Sequence, residues 1–232
     1  MMQKKKISVV IPCYNEERVI NNTIKTIVKF FKDNQDMFIY ELILSDDGST
    51  DKTLDIITRY SNNYPKIDFR WSDKNRGKGH AVREGLLKAK YNNVLVLDAD
   101  LSVNIYNLLI CPFLHRDKPL LIIGKRFQVK KQPLYRIIAG NGFRIIVNAL
   151  FYWDYRDTQC PFKLLQNIPK EFINNLRIDG FSYDVELLYK AKDVYGYYIY
   201  EKSVNYHNDE NSSVTIRKTI KMFIDLLRIR FQ

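Results

Sequence analysis

Two aspartates one residue apart, Asp98-Ala99-Asp100, follow the apolar run Val94-Leu-Val-Leu97. Carboxylates held that close repel each other and resist losing water unless a cation compensates. Residues two apart on a strand point the same way, so both acids are expected to reach one site. Hard oxygen donors of this kind suit Mg2+ or Mn2+, which keep waters and phosphate oxygens in their shells. The plain alternative is a solvated turn with a helix-capping aspartate; a place at the end of an apolar strand favours the cation. Asp46-Asp47-Gly48-Ser49 is a second acidic cluster. Its carboxylates could accept hydrogen bonds from a base or ribose, or form an Asx turn before a helix. Pro12-Cys13-Tyr14-Asn15-Glu16 ends another apolar run, with Asn15 read as a helix N-cap and Tyr14 as a ring able to stack on a base. Asn75-Arg76-Gly77-Lys78-Gly79 has the composition of a phosphate-cradling loop, but not the spacing of a P-loop or a dinucleotide fingerprint.

These clusters need elements to hold them. Short β-branched runs at 7–11, 40–44, 67–71 and 93–97 read as strands. Between them, 15–33, a segment capped by Ser49 or Thr50, and 81–89 read as helices. Strands alternating with helices predict an α/β fold with a Rossmann-like, mostly parallel central sheet flanked by helices. Ligands then bind at the carboxyl ends of the strands, where the acidic clusters fall. Further on, 120–123, a short strand before Leu165, and 197–204 read as strands. Residues 134–153, 182–191 and 216–231 read as helices.

Taken in order, IPCYNE, SDDGST, NRGKG and LDADLS resemble the nucleotide-binding half of inverting family 2 glycosyltransferases, whose fold is GT-A. Gly124-Lys-Arg-Phe127, Asp157-Thr-Gln-Cys160, the segment Phe181 to Tyr189 and Asp225 to Arg230 resemble dolichyl-phosphate β-glucosyltransferases and, more distantly, dolichyl-phosphate mannose synthases. The resemblance covers roughly residues 5–231. It implies transfer of a hexose, glucose first, from UDP-glucose to a polyprenyl or dolichyl phosphate with inversion. GDP-mannose as donor, or a role in polysaccharide synthesis, is the alternative. By the resemblance, Pro12, Tyr14, Asn15, Glu16, Asp46, Asp47, Lys78, Asp98 and Asp100 bind the nucleotide sugar, with Lys78 on a loop closing over the base. Asp98 and Asp100 hold Mg2+ or Mn2+. Arg126 and Lys163 meet the acceptor phosphate, and Asp157 joins Asp100 and Arg126 in catalysis, with Asp184 and Glu186 as alternatives. Departures are Pro161 where the family usually has Gly, Lys125 where it has Ser, and His80 where it has a small residue.

The expected organisation is one domain over 1–210, split into a nucleotide half (1–103) and an acceptor half (104–210), followed by a basic amphipathic helix over 211–232. The net charge is +11, and all of the excess lies in two segments, +7 in 111–150 and +4 in 211–232. In the last helix Ile216, Ile220, Phe223, Ile224, Leu227 and Phe231 form a stripe flanked by Arg217, Lys218, Lys221, Arg228 and Arg230. In the earlier one Leu134, Ile137, Ile138, Phe143, Ile146, Val147, Leu150 and Phe151 accompany Arg136 and Arg144. Such helices lie in a bilayer interface, or pack an apolar face on the core. No run approaches the roughly 18 apolar residues of a membrane span. The reading is therefore a peripheral protein on the cytosolic face of a membrane, with a membrane-anchored partner possible. Nucleic acid is not expected as a partner, because the charge is not interleaved with base-stacking aromatics in a recognised module. A catalytically dead chain is disfavoured by the intact carboxylates. Cys13, Cys111 and Cys160 are scattered and form no CxxC pair, which argues against a zinc site or a disulfide framework.

Overall fold

The computed structural model describes residues 3–113, 119–126, 134–206 and 216–231, with backbone alone at 134–141 and 216–220. Phe127 and the segment before the last helix lie outside the described residues. The chain folds as β1 (Lys5–Cys13), α1 (Ile20–Asp33), β2 (Phe38–Asp46), α2 (Thr53–Asn63), β3 (Ile67–Trp71), α3 (Lys78–Lys88) and β4 (Asn93–Val96). A 3-10 turn (Ile105–Ile110) follows, then β5 (Leu120–Arg126), α4 (Leu134–Phe151), β6 (Lys163–Gln166), α5 (Lys170–Asn174) and α6 (Tyr183–Tyr189). A π-helical segment (Lys190–Val194), β7 (Tyr198–Val204) and α7 (Ile216–Arg230) complete it.

All seven strands join one sheet, in the order β3-β2-β1-β4-β6-β5-β7. β6 alone runs antiparallel to its neighbours, so the mostly parallel sheet is mixed. The chain winds outward from β1 to β3 and then returns to the other side of β1 as β4. That reversal opens a crevice between the carboxyl ends of β1 and β4, the place where open α/β sheets bind ligands.

Alternate side chains of each strand enter opposite cores. Val9 and Ile11 of β1, with Leu120 and Ile122 of β5, face α1. Val10, Leu121 and Ile123 face α3, α4, α6 and α7. Burial on both faces explains why these strands read as continuous apolar runs.

Two helix starts differ from expectation. α1 begins at Ile20, after an N-cap Val19 that makes no side-chain bond, and Asn15 lies outside it at φ 57°. α2 begins at Thr53 after Lys52, so neither Ser49 nor Thr50 is its cap. In both cases the expected caps instead bond each other, joining the loops that follow β1 and β2. Asn15 Oδ1 accepts from the Thr50 amide at 2.8 Å, and the Asn15 amide donates to Ser49 Oγ at 2.9 Å.

α4 and α7 pack side by side, with the Phe143 and Phe223 rings 6.0 Å apart. α4 buries Phe143, Val147 and Phe151, while α7 buries Met222, Leu226 and Ile229. The opposite faces are uncovered. Ile145 is 62% exposed, Tyr152 84%, Leu227 54% and Phe231 80%, and Ile146 and Ile224 are exposed beside them. Of the expected α7 stripe, Ile224, Leu227 and Phe231 lie on the outer face, while Phe223 is half-buried against Phe143 and the core. Among the expected stripe residues, the side chains of Leu134, Arg136, Ile137, Ile138, Ile216, Arg217, Lys218 and Ile220 lie outside the described residues.

Candidate active site

The crevice is lined by acids from three strand ends. Near the end of β1 Pro12 is buried, and Asp46, the last residue of β2, is buried opposite Cys13, while Tyr14 projects at the rim, 42% exposed. The Glu16 amide donates to Thr53 Oγ1 at 2.7 Å, which fixes the Glu16 backbone beside the Asp98 turn. Burial, with the charges of Asp100, Asp98 and Asp51, pushes the Glu16 carboxyl up from 4.5 to about 7, against the pull of Lys78.

β4 stops at Val96, so Asp98 and Asp100 lie in a turn rather than on the strand. The expected strand alternation is not what gathers them. The Leu101 amide closes the turn on Asp98 O at 3.1 Å, Leu101 takes φ 49°, and the Ser102 amide donates to Asp100 Oδ1 at 2.8 Å. From α1 the Thr23 hydroxyl donates to the Ala99 carbonyl. Burial and the nearby Asp98 charge raise the Asp100 carboxyl, while the Ser102 hydrogen bond opposes this.

Lys78 does not sit on a loop; it is the first residue of α3. Its Nζ lies 2.6 Å from Asp98 Oδ1, with about a fifth of the side chain exposed. Desolvation pushes this ammonium down, yet the charges of Asp98, Asp184 and Asp100 hold it above the usual lysine range.

The glycine-rich segment proves to be filled by protein groups. Asp47 is buried, and its carboxylate accepts the Arg76 amide at 3.1 Å and the Gly77 amide at 2.6 Å. His80 Nδ1 lies 3.4 Å from the same carboxylate. The Gly79 and His80 amides donate to Asp179 O at 2.7 and 3.3 Å. A carboxylate therefore stands where a phosphate cradle would take phosphate. The glycines permit this approach: a Cβ at Gly79 would lie 2.2 Å from Ile178 O, and one at Gly77, at φ 123°, 2.3 Å from Asp179 O. The loop pressing on them is held by Glu186, which is fully buried and accepts the Arg177 and Ile178 amides at 2.8 and 2.7 Å. Lys190 Nζ neutralises it at 2.7 Å. Asp46 closes a turn of its own by accepting the Ser49 amide at 3.0 Å.

At the end of β5, Arg126 and Asp157 grip each other with two bonds, Nε to Oδ2 at 2.6 Å and Nη2 to Oδ1 at 2.8 Å. The guanidinium lies 5.2 Å from the Tyr206 ring centroid, and Tyr206 bridges to Val103, close behind Asp100. The pair with Asp157 raises the guanidinium pKa against the opposing effect of burial. Arg126 and Asp157, expected together in catalysis, thus form one paired unit at the end of β5.

Lys163 is a correction. It was expected at the acceptor phosphate, but it is 1% exposed. It begins β6, opposite Val96 of β4 and Ile123 of β5, with its side chain inside the protein. Its Nζ bonds Asp184 Oδ1 at 2.5 Å and Cys160 O at 2.6 Å. The buried Tyr183 ring lies between Lys78 and Lys163, 5.9 and 5.8 Å from the two ammonium groups. Asp184 and Glu186 are likewise internal, which excludes Glu186 from contact with substrate. The floor residues Thr23, Asp179 and Tyr183 were missed by sequence reasoning, because their roles arise from contacts distant in the chain.

Asp98, Asp100 and Glu16 present three carboxylates to one nearby ammonium. That surplus of hard, negative oxygen donors fits a divalent cation completed by phosphate oxygens. Among the described residues no group of three or more His, Cys, Asp or Glu is arranged to hold a metal by itself.

Comparison with known proteins identifies the family and the fold. Residues 8–174 match the family model described as "Glycosyl transferase family 2". The chain is 32% identical to the dolichyl-phosphate beta-glucosyltransferase of Dictyostelium discoideum, over 97% of the chain and 74% of that protein. It is 30% identical to the human dolichyl-phosphate beta-glucosyltransferase, over 98% of the chain and 76% of that protein. Among solved structures, glucosyl-3-phosphoglycerate synthase from Mycobacterium tuberculosis, in complex with Mn2+, UDP and phosphoglyceric acid, superposes with a TM-score of 0.69. It shares 20% identity, over 97% of the chain and 76% of that structure.

Proposed function

The chain belongs to glycosyl transferase family 2 and is a nucleotide-sugar-dependent inverting glycosyltransferase of GT-A fold; from that premise we propose that it transfers glucose from UDP-glucose to a polyprenyl or dolichyl phosphate, giving a lipid-linked β-glucosyl phosphate. The observation that carries this reading is the crevice itself. Three carboxylates and Lys78 stand at the β1/β4 reversal, with the Arg126–Asp157 pair at the end of β5. The named relatives, of which the chain covers 74% and 76%, support the choice of donor and acceptor.

In the reaction an acceptor phosphate oxygen forms a bond to the anomeric carbon as the bond to the nucleoside diphosphate breaks. The acceptor monoester, with a second pKa of about 6, is already mostly a dianion at neutral pH. No strong base is required, so positioning and charge stabilisation carry the rate. Mg2+ or Mn2+ held by Asp98 and Asp100 would supply positive charge to the leaving diphosphate. Lys78 adds an ammonium from the chain. Tyr14 and the Pro12–Glu16 segment frame the base side. Asp46 and Asp47 shape that side from beneath, by fixing the turn at Ser49 and the loop at Arg76. Arg126, oriented by Asp157, turns a guanidinium face to the acceptor phosphate.

The lipid acceptor gives the α4/α7 face a role. Exposed Ile145, Ile146, Tyr152, Ile224, Leu227 and Phe231, with Lys221, Arg228 and Arg230 on α7, suit the interface of an anionic bilayer. No helix among the described residues is long and apolar enough to cross a membrane. The protein would then work as a peripheral enzyme on the cytosolic side of its membrane, alone or beside an anchored partner.

A radiolabel transfer assay tests the donor and acceptor. UDP-glucose, GDP-mannose and UDP-N-acetylglucosamine are offered with dolichyl and undecaprenyl phosphate, with and without Mn2+. Glucosyl lipid formed from UDP-glucose supports the proposal. Product from another donor alone reassigns the sugar, and no product from any donor overturns it.

A further inference from the structure

Lys78 combines a fixed backbone with a free stem. Its neighbours Gly77 and Gly79 are tied to Asp47 and Asp179 O, so the start of α3 cannot shift. Its side chain spans four methylenes and keeps partial solvent access, with the ammonium on Asp98 at 2.6 Å. Asp98 is also the acid best placed to share a cation with Asp100. A divalent ion arriving there would stand beside an ammonium of like charge. A diphosphate arriving there offers that ammonium a second anionic partner.

Resting on the donor-site reading above, we propose that Lys78 is the resident cation of the nucleotide-free enzyme. Its ammonium occupies the cation position on Asp98, and moves to a phosphate oxygen when the nucleoside diphosphate enters. Asp98 is then released to a divalent ion, so metal and nucleotide bind as a pair. Lys78 thereby sets the order of loading, besides contributing charge to the leaving group. Two features of the crevice favour this exchange over a static ion pair. The acids outnumber the ammonium, so the site still attracts cations with Lys78 in place. The pair is also only partly buried, so the ammonium can change partner without crossing an apolar layer.

The experiment measures Mn2+ binding to the full chain by electron paramagnetic resonance of free Mn2+, with and without UDP. The proteins compared are wild type, Lys78→Met, Lys78→Gln and Lys78→Arg, each checked for a cooperative thermal melt. Without UDP, Lys78→Met and Lys78→Gln should bind Mn2+ about tenfold more tightly than wild type, the scale of one charge-assisted contact removed. In EDTA the same two variants should bind UDP more weakly, by a similar factor. Lys78→Arg, which keeps the charge, should stay near wild type in the Mn2+ measurement. Equal or weaker Mn2+ binding by the neutral variants overturns the inference while leaving the donor site standing. Absence of Mn2+ binding in every protein, even with UDP, overturns both. Two neutral variants are used so that a folding defect in one does not remove the test.

Discussion

The two ends of this enzyme solve opposite problems. At the carboxyl ends of β2 and β4, acids are tied down by backbone amides: buried Asp47 by residues 76 and 77, buried Asp46 by Ser49 and exposed Asp100 by Ser102, while buried Glu186 of α6 is held by residues 177 and 178. On the α4/α7 face, large apolar side chains stand in solvent with cations around them, and the ion pair there, Arg228 to Asp225, is long at 3.6 Å. A reacting centre needs atoms held to fractions of an ångström. A lipid surface is fluid and asks only for apolar area and positive charge. The first region is therefore intolerant of a single methyl, while the second should change gradually with composition.

The sharpest test of that contrast is Asp100→Ala. Removing one preorganised charge at the leaving group should lower kcat by about 10²–10³-fold or more, with the melting temperature little changed. An activity within a few fold of wild type would remove Asp100 from the reacting centre. A pair of glycine variants comes next. Gly79→Ala places a methyl against Ile178 O and should cost about 2–3 kcal/mol in urea unfolding, with donor binding weakened as well. Gly142→Ala, in α4, meets nothing within 4 Å and should instead stabilise by about 0.5–1 kcal/mol. If the two cost the same, the donor end is not specially packed.

On the lipid side, Ile224→Ser, Leu227→Ser and Phe231→Ser combined should reduce flotation with anionic liposomes by about tenfold or more, since each side chain gives up apolar area. Turnover on a short, water-soluble prenyl phosphate should hold. Loss of both together would mean that these residues support the fold rather than the membrane.

A further effect concerns pH. The Glu16 carboxyl is raised in the folded chain, so its protonated form favours folding. That contribution is complete below about pH 4.5 and is lost as pH rises through about 7. In EDTA, Glu16→Gln should therefore gain stability over wild type between pH 5 and pH 8, by about 1–2 kcal/mol after allowance for solvent screening. Melts at the two pH values measure it, and an equal gain at both would show that Glu16 is not crowded by Asp98 and Asp100.

The same contrast decided what could be read from the chain alone. The first four strands and the acid clusters were legible, since doubly buried strands give apolar runs and their polar ends stand out. The β6 register was not, since four residues carry too little periodicity, and Lys163, assigned to the acceptor phosphate by resemblance alone, proves to be buried against Asp184. α7 showed its apolar stripe, but Met222, Leu226 and Ile229 form a second one. Periodicity alone cannot say which of two apolar faces meets the core. The roles of Asp47 and Asp179 depend on segments about 30 and 100 residues away in the chain, and no local pattern announces them.

Filling the glycine-rich turn with Asp47 also decides which solutes the enzyme ignores. An anion such as orthophosphate meets no open ring of amides at residues 76 and 77, only the resident carboxylate, which repels it. Under the function proposed above, discrimination among anions would then rest with Lys78 and the acids beside it, which would reward a diphosphate arriving together with its own counter-ion.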